Sequence, residues 1–381
     1  VAPGAVRRAR HDDPLADRES EADMRTSRAL AAVGAAAALI LVVPTAASAD
    51  DRTPVLEEWS SQLAAPFSLA VEGHRVLVAD GGTGTVGQLQ PDGDIAPIVE
   101  GVPGLAGLAV RGAWLAYGSS VEDGASEPPV ITESGLNVRS PGGQTTYIDL
   151  HAYEMANNPD SGNSYGVTDP ASCAAGTAYD GLLDSHVYGV TSWHSGWLVA
   201  DAAANAVYEV TAKGAIRTVA VLPPVPVTLT AETAGMLGLG DCAVGDVYYA
   251  EPVPTGVAVG PGGAIYVTTL PGFPGESASL GALWRIDSRT DAVMQVASGF
   301  SGPTSLSIAA NRVYIAELFG GQISVVDRGT VAPFAALPGA VGVAASGNGT
   351  VWASTLDFAG GPGTLVSIAK GKVKVQAHIR R

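Results

Sequence analysis

Thr255-Gly256-Val257-Ala258-Val259-Gly260-Pro261-Gly262-Gly263-Ala264-Ile265-Tyr266-Val267 is the stretch that decides the fold. A short apolar strand, Val257 to Val259, runs into a Gly-rich turn and is followed by an aromatic-bearing strand, Ile265 to Val267. The pattern recurs as Leu69 to Val71 with Val76 to Val78, as Leu108 to Val110 with Trp114 to Ala116, and as Val190 with Trp197 to Val199. It recurs again as Leu306 to Ile308 with Val313 to Ile315, and as Val343 with Val351 to Ala353. Each copy puts Gly or Asn where a tight hairpin needs positive φ: Glu72-Gly73, Arg111-Gly112, Ser195-Gly196, Gly262-Gly263, Ala310-Asn311 and Asn348-Gly349.

A second hairpin follows in every copy, through Asp92-Gly93, Gly142-Gly143, Lys213-Gly214, Arg289 to Asp291, Arg328-Gly329 and Lys370-Gly371. Four short strands per copy, repeated at roughly 35 to 50 residues, predict an all-β chain: a six-bladed β-propeller of four-stranded antiparallel blades. A lone blade cannot bury both faces, so residues 50–381 are expected to fold as one ring. The blades fall at about 61–100, 101–150, 184–224, 253–299, 300–337 and 338–379, with insertions at 151–183 and 225–252. Beyond the N-terminus no helical apolar period exceeds two turns.

Met24, Arg25 and Arg28 precede an apolar run from Ala29 to Val43 and then Ala47-Ser48-Ala49, which reads as a secretory signal over 24–49. Residues 1–23 are then an upstream extension mis-called from Val1, and the product is expected to be secreted. Residues 1–49 carry six basic and six acidic side chains, so the mature chain keeps the net charge of -16. That charge disfavours nucleic acid and, after signal cleavage, an anionic membrane; a soluble monomer is expected.

Export makes the two cysteines informative. Cys173 and Cys242 lie one in each insertion. Both insertions join the outer strand of one blade to the inner strand of the next, and such connections share one face of a propeller. A Cys173–Cys242 disulfide is therefore predicted.

Ala152-Tyr153-Glu154-Met155-Ala156-Asn157-Asn158-Pro159-Asp160, then Asp184-Ser185-His186-Val187-Tyr188-Gly189-Val190, resemble the centre of the ScyD/ScyE family, NHL/SMP-30-like propeller proteins named from the scytonemin biosynthetic cluster. Leu198-Val199-Ala200-Asp201, Val253 to Gly263 and Leu270-Pro271-Gly272-Phe273-Pro274 extend the resemblance over most of residues 54–320. It implies an exported propeller tied to secondary metabolism, with no settled reaction. His186-Val187 stands where that family has Asn-Pro, and the loop between Asp160 and Asp184 is longer and holds Cys173.

Lactonase-type propellers hold a divalent cation with Glu, Asn and Asp from several blades, because a hard cation needs converging oxygens. The residues entering the innermost strands here are Phe67-Ser68, Gly104-Leu105, His186-Val187, Thr255, Thr304 and Ala340-Val341, with no carboxylate among them. Asp80, Asp201 and Glu317 end the second strands and are read as acceptors for neighbouring backbone. Asn157, Asn158, Asp160, Asn163, Asp169 and Asp184 form the most oxygen-rich loop, where calcium is conceivable and Asx-turns are the competing reading. Trp114, Trp197 and Trp352 read as packing between blades, and Trp193 as an exposed aromatic contact. The favoured function is a non-catalytic binding or scaffold protein taking a small molecule or protein on its insertion face, with Asp184, His186, Tyr188, Trp193, Asn157, Asn158 and Asp160 as candidates. The alternative is a metal-dependent hydrolase or lyase acting on a small metabolite.

Overall fold

A computed structural model describes residues 63–126, 130–369 and 372–377. The signal segment 24–49, the extension 1–23, the Lys370-Gly371 turn and His378 lie outside the described residues. The first two sheets are β1 (Ser68–Glu72), β2 (Arg75–Asp80), β3 (Thr85–Leu89) and β4 (Ile95–Val99), then β5 (Ala106–Arg111), β6 (Trp114–Glu122), β7 (Ile131–Arg139) and β8 (Thr145–Asp149). Helix α1 (Leu150–Asn157), β9 (Ser164–Val167) and β10 (Tyr179–Asp180) follow. The third sheet is β11 (Val187–Trp193), β12 (Gly196–Asp201), β13 (Ala206–Val210) and β14 (Ile216–Val221). After it come β15 (Val225–Thr228), helix α2 (Ala231–Met236) and β16 (Val247–Ala250). The fourth sheet is β17 (Pro254–Val259), β18 (Ile265–Thr269), β19 (Gly281–Ile286) and β20 (Val293–Phe300). The fifth is β21 (Pro303–Ala309), β22 (Arg312–Glu317), β23 (Gln322–Asp327) and β24 (Thr330–Ala336). The sixth is β25 (Ala340–Ala345), β26 (Val351–Thr355), β27 (Thr364–Ala369) and β28 (Lys372–Ala377).

Each of these sheets takes four consecutive strands in order, all antiparallel. Their first strands touch in a closed circuit, β1 to β5 to β11 to β17 to β21 to β25 and back to β1. Five of them open on a β-bulge, which leaves Gly107, Tyr188, Thr255, Thr304 and Val341 unpaired and re-aims the four side chains among them. Thr255 Oγ1 uses that freedom to donate to Pro303 O at 2.6 Å, and Thr304 Oγ1 to Val341 O at 2.7 Å, so neighbouring first strands are stitched together. Gly189 and Gly256 lie against each other: a Cβ on Gly189 would sit 2.9 Å from the Gly256 Cα. A side chain at either position would wedge the circuit open.

The circuit closes between the sixth and first sheets. Ser354 Oγ donates to Pro66 O at 2.6 Å across 288 residues of chain, Gly363 N donates to Leu63 O at 2.8 Å, and buried Leu63 packs with Leu69, Val78, Ala344 and Leu365. Hydrophobic clusters lie between consecutive sheets, as Trp197, Tyr208 and Leu136 do between the second and third. The pleat accounts for this, since alternate residues of each strand face opposite neighbours.

Two readings of the sequence need correction. In the turn of the third sheet the left-handed residue is His194 (φ 48) rather than Gly196; Gly196 is required because a Cβ there would lie 2.1 Å from Val210 O. Trp114 is 40% exposed, so of the three blade tryptophans only Trp197 and Trp352 pack between sheets.

The insertions build a seventh sheet of their own, in the order β10-β9-β16-β15. Tyr248 pairs with Val167, joining the first insertion to the second, and Val167, Val227, Leu229, Leu237 and Tyr248 form a separate core beneath the sheet. The Cys173–Cys242 disulfide forms as predicted, with Cα atoms 6.3 Å apart, and Ser172 Oγ donates to Asp246 beside it. The two cysteines are 69 residues apart in sequence, and a loop of that length contributes about 4 kcal/mol in the chain-entropy account. Reduction under native conditions is therefore expected to lower the urea midpoint, and alkylation before reduction to find no free thiol; two free thiols would contradict the pairing.

Candidate functional site

β11 leaves the first insertion and runs straight to the central axis. Its bulge residue is Tyr188, at the position where β17 and β21 use threonine to bond the next strand. The Tyr188 ring instead faces Phe67 and His186, both at 6.3 Å between centroids. Among the described residues neither the Tyr188 hydroxyl nor the His186 ring has a hydrogen-bond partner. Burial pushes the Tyr188 phenol up to about 12, keeping it a neutral donor. Burial also lowers His186, while Asp184 and Glu122 pull it upward, so the imidazole is predominantly neutral at pH 7. Asp184 is raised mainly by burial, and the backbone hydrogen bond from Ser185 opposes the shift. The mouth thus offers two aromatic faces, a neutral imidazole and a phenol. These groups suit a small molecule with a flat apolar part and a few polar atoms.

The acids ending the second strands serve the scaffold. Asp80 accepts from Ala64 N and Ala65 N at 2.9 and 2.7 Å, Asp201 from His186 N and Ser185 Oγ at 2.7 and 2.6 Å, and Glu317 from Ser301 N at 2.8 Å. Each carboxylate clamps the segment that enters the first strand of its own sheet. Asp201 therefore sets the backbone that carries His186 toward the mouth.

The remaining sequence candidates separate into different places. Asn157 is exposed and donates to Tyr153 O at 2.7 Å; Asn158 closes α1 in a left-handed conformation (φ 38) and donates to Gly181 O at 3.0 Å. Asp169 accepts from Ala171 N, and Asn163 donates to Leu222 O. These are turn and capping contacts, and no group of three or more His, Cys, Asp or Glu among the described residues is arranged to hold a metal ion. The geometry gives calcium in this loop no support. Trp193 ends β11, five residues from Tyr188 and thus about 17 Å along the strand. It packs against the core between the third and fourth sheets with its ring 4.2 Å from His194. Trp193 therefore belongs to the opposite face from Asp184 and His186, and the insertion face does not include it.

Asp160 belongs to a buried polar group that sequence reasoning missed. Tyr165 Oη and Asn205 Nδ2 both donate to Asp160 Oδ2 at 3.0 Å, Tyr208 Oη donates to Glu154 Oε2 at 2.7 Å, and Tyr179 Oη donates to Glu251 Oε1 at 3.1 Å. Burial pushes Glu154 up to about 8 against the Tyr208 hydrogen bond, with Asp201, Asp160 and Asp184 adding to the rise; burial takes Glu251 to about 7. The available signal was the spacing of α1. Leu150 and Glu154 lie one above the other on the buried face, an acid where the pattern calls for an apolar residue.

No protein family's sequence model matches the chain, and no curated protein matches it. Among solved structures, a chain of a nidogen/laminin complex aligns with a TM-score of 0.52 at 12% identity, covering 81% of this chain and 94% of that one. With the closed circuit of four-stranded sheets, that decides the architecture. The fold is a β-propeller. A catalytically inactive virginiamycin B lyase of Staphylococcus aureus aligns at a TM-score of 0.46 and 13% identity over 86% of this chain and 87% of that one. A gluconolactonase of Xanthomonas campestris aligns at 0.45 and 13% over 87% and 89%. At these identities the likeness concerns the propeller fold alone and carries no chemistry over. Among the described residues no helix is long and apolar enough to cross a membrane.

Asp201→Ala strips the acceptor from Ser185 Oγ, His186 N and Ala204 N inside the propeller. A loss of about 3 kcal/mol in urea unfolding is expected from the unpaired donors. An unchanged midpoint would mean that Asp201 is not a clamp.

Proposed function

We propose that the chain is a six-bladed, exported propeller of the ScyD/ScyE kind that binds a small molecule at the axial mouth beside its insertions without transforming it. In this reading the seventh sheet is an appendage on one face and not a blade, because its strands come from two connections and it stays outside the circuit of first strands. The exposed Cys173–Cys242 disulfide is compatible with an extracellular life, and the resemblance of residues 152–160 and 184–190 supports a reading in which the protein serves secondary metabolism.

The observation that carries the binding reading is Tyr188. A bulge position that stitches the ring in the fourth and fifth sheets is given to an aromatic side chain with a free hydroxyl, facing Phe67 and His186. Bulges re-aim side chains at functional places, and a residue that forgoes a stabilising contact there supports a ligand role. The carboxylates nearest the mouth are occupied by backbone donors, which speaks for recognition over metal-assisted hydrolysis.

The test compares the wild-type chain with Tyr188→Ala and His186→Ala in two assays. Immobilised wild-type protein is expected to retain a small molecule from an extract of its producing cells, detected by mass spectrometry, and both variants to lose it with melting temperatures within a few degrees of wild type. Hydrolysis of glucono-1,5-lactone with added calcium, zinc or manganese is expected to stay at the uncatalysed rate. Metal-dependent turnover that is lost in His186→Ala would replace the binding reading with the hydrolase one.

A further inference from the structure

The two insertions form a unit with its own core, its own sheet and a disulfide, and α1 leads into it from the second sheet. Toward the fourth sheet the unit meets Phe273 and Leu280. Toward the third sheet α1 packs Leu150 and Tyr153 against Trp197 and Tyr208, and beside this apolar contact lies a polar, acidic one. Glu154 comes from α1, Asp160 and Asp184 from the first insertion, Asp201 from the end of β12, and Glu251 from the second insertion. Glu154, Asp160 and Asp201 are 0%, 1% and 0% exposed.

No positive side chain compensates these acids. Between Ser140 and Ala212, and again between Thr218 and Trp284, the chain contains no lysine or arginine. None of the five carboxylates forms an ion pair with Lys or Arg among the described residues. The titratable neighbours are the phenols of Tyr153, Tyr165, Tyr179 and Tyr208, together with His151 on α1 and His186 on β11. Burial holds the phenols of Tyr165, Tyr179 and Tyr208 neutral, so they donate hydrogen bonds without supplying charge. An isolated ionised carboxylate in such surroundings is strongly unfavourable and is normally avoided by protonation.

The hydrogen-bond inventory points the same way. Among the described residues four buried side-chain atoms lack partners: Glu154 Oε1, Asp160 Oδ1, Asn158 Oδ1 and His151 Nδ1. With the carboxyls ionised the three oxygens are all acceptors, so the junction is short of donors. A proton on a carboxyl group turns one acceptor into a donor and can satisfy a second atom as well. No cluster of His, Cys, Asp or Glu here is arranged to hold a cation that would do the same.

We propose that the insertion unit is fastened to the third sheet by protonated carboxyl groups, Glu154 and Asp160 foremost, so that it docks in acid and loosens as they ionise. The docked form holds protons that the released form gives up, so docking is favoured at low pH. It weakens as pH rises through the window between an ordinary glutamate and about 8, and it levels off above that window. Because β9 pairs with β16 and Cys173 is bonded to Cys242, the two insertions leave together. Their departure would uncover the side of the mouth where Asp184 and His186 lie.

The experiment is hydrogen exchange of the intact chain, read by mass spectrometry and corrected for the intrinsic pH dependence of amide exchange. Peptides from residues 158–184 and 225–250 are expected to show an opening constant that rises about four-hundredfold between pH 5 and 8 for Glu154 alone. Peptides from the fifth and sixth sheets should stay constant. Glu154→Gln, which keeps the neutral shape, is expected to flatten the rise, and Asp160→Asn serves as the second variant should the first fail to fold. An infrared carboxylic-acid band in the wild type that Glu154→Gln removes would support the same assignment. A flat wild-type profile, or an unaltered rise in both variants, would overturn it. So would a profile that millimolar calcium abolishes and a chelator restores, since the neutralising partner would then be a cation.

Discussion

Closure of the ring is the constraint on which everything else depends. A four-stranded sheet with two apolar faces has no stable existence alone, and here each face is covered only because a neighbour follows on either side. Closure demands that the six first strands approach tightly at the axis, which Gly189 and Gly256 permit, and that the last sheet find the first. Leu63, Pro66, Ser354 and Gly363 perform that meeting across almost the whole described chain. The outer edges stay exposed, and Pro97 and Pro333 on outermost strands β4 and β24 withhold ladder donors from stray pairing.

The repeat was legible in the sequence because its signals are local. Gly73, Gly112, Gly262 and Asn311 sit at positive φ in their first hairpins, and Gly93, Gly143, Gly214 and Gly329 in the second ones. Strand and turn chemistry repeated six times leave little choice of topology. The Cys173–Cys242 pair was legible for a related reason: knowing the repeat fixes the face on which its connections emerge.

The insertion sheet was not legible, and neither was the buried acid group. β9 is four residues long, carries Gly166 at φ 81, and finds its partner β16 some 80 residues later, so neither alternation nor a turn announces the pairing. Glu154 and Asp160 are surface residues by type; the spacing from Leu150 is the one local signal for Glu154, and the contacts of Tyr165 and Asn205 are what bury Asp160. The distinction of Tyr188, an aromatic ring at a bulge where the other first strands carry Gly107, Thr255, Thr304 and Val341, needs the register to be seen. Trp193 lies away from Asp184 and His186 because β11 carries its two ends to opposite faces, which residue type and exposure alone do not reveal.

The molecule therefore combines an apolar ring, tolerant of little change at its axis, with an acid-rich appendage that contains no lysine or arginine. The ring gives rigidity; the appendage and Tyr188 give one face its individuality. The most direct test of this account is the thermal unfolding of a chain beginning at Phe67 against one beginning at Asp50, followed by far-ultraviolet circular dichroism. Loss of Leu63 and Pro66 removes the closing contacts, and the account predicts that all six sheets lose stability together in one transition at a clearly lower temperature. A shortened chain that melts at the same temperature as the longer one would contradict it.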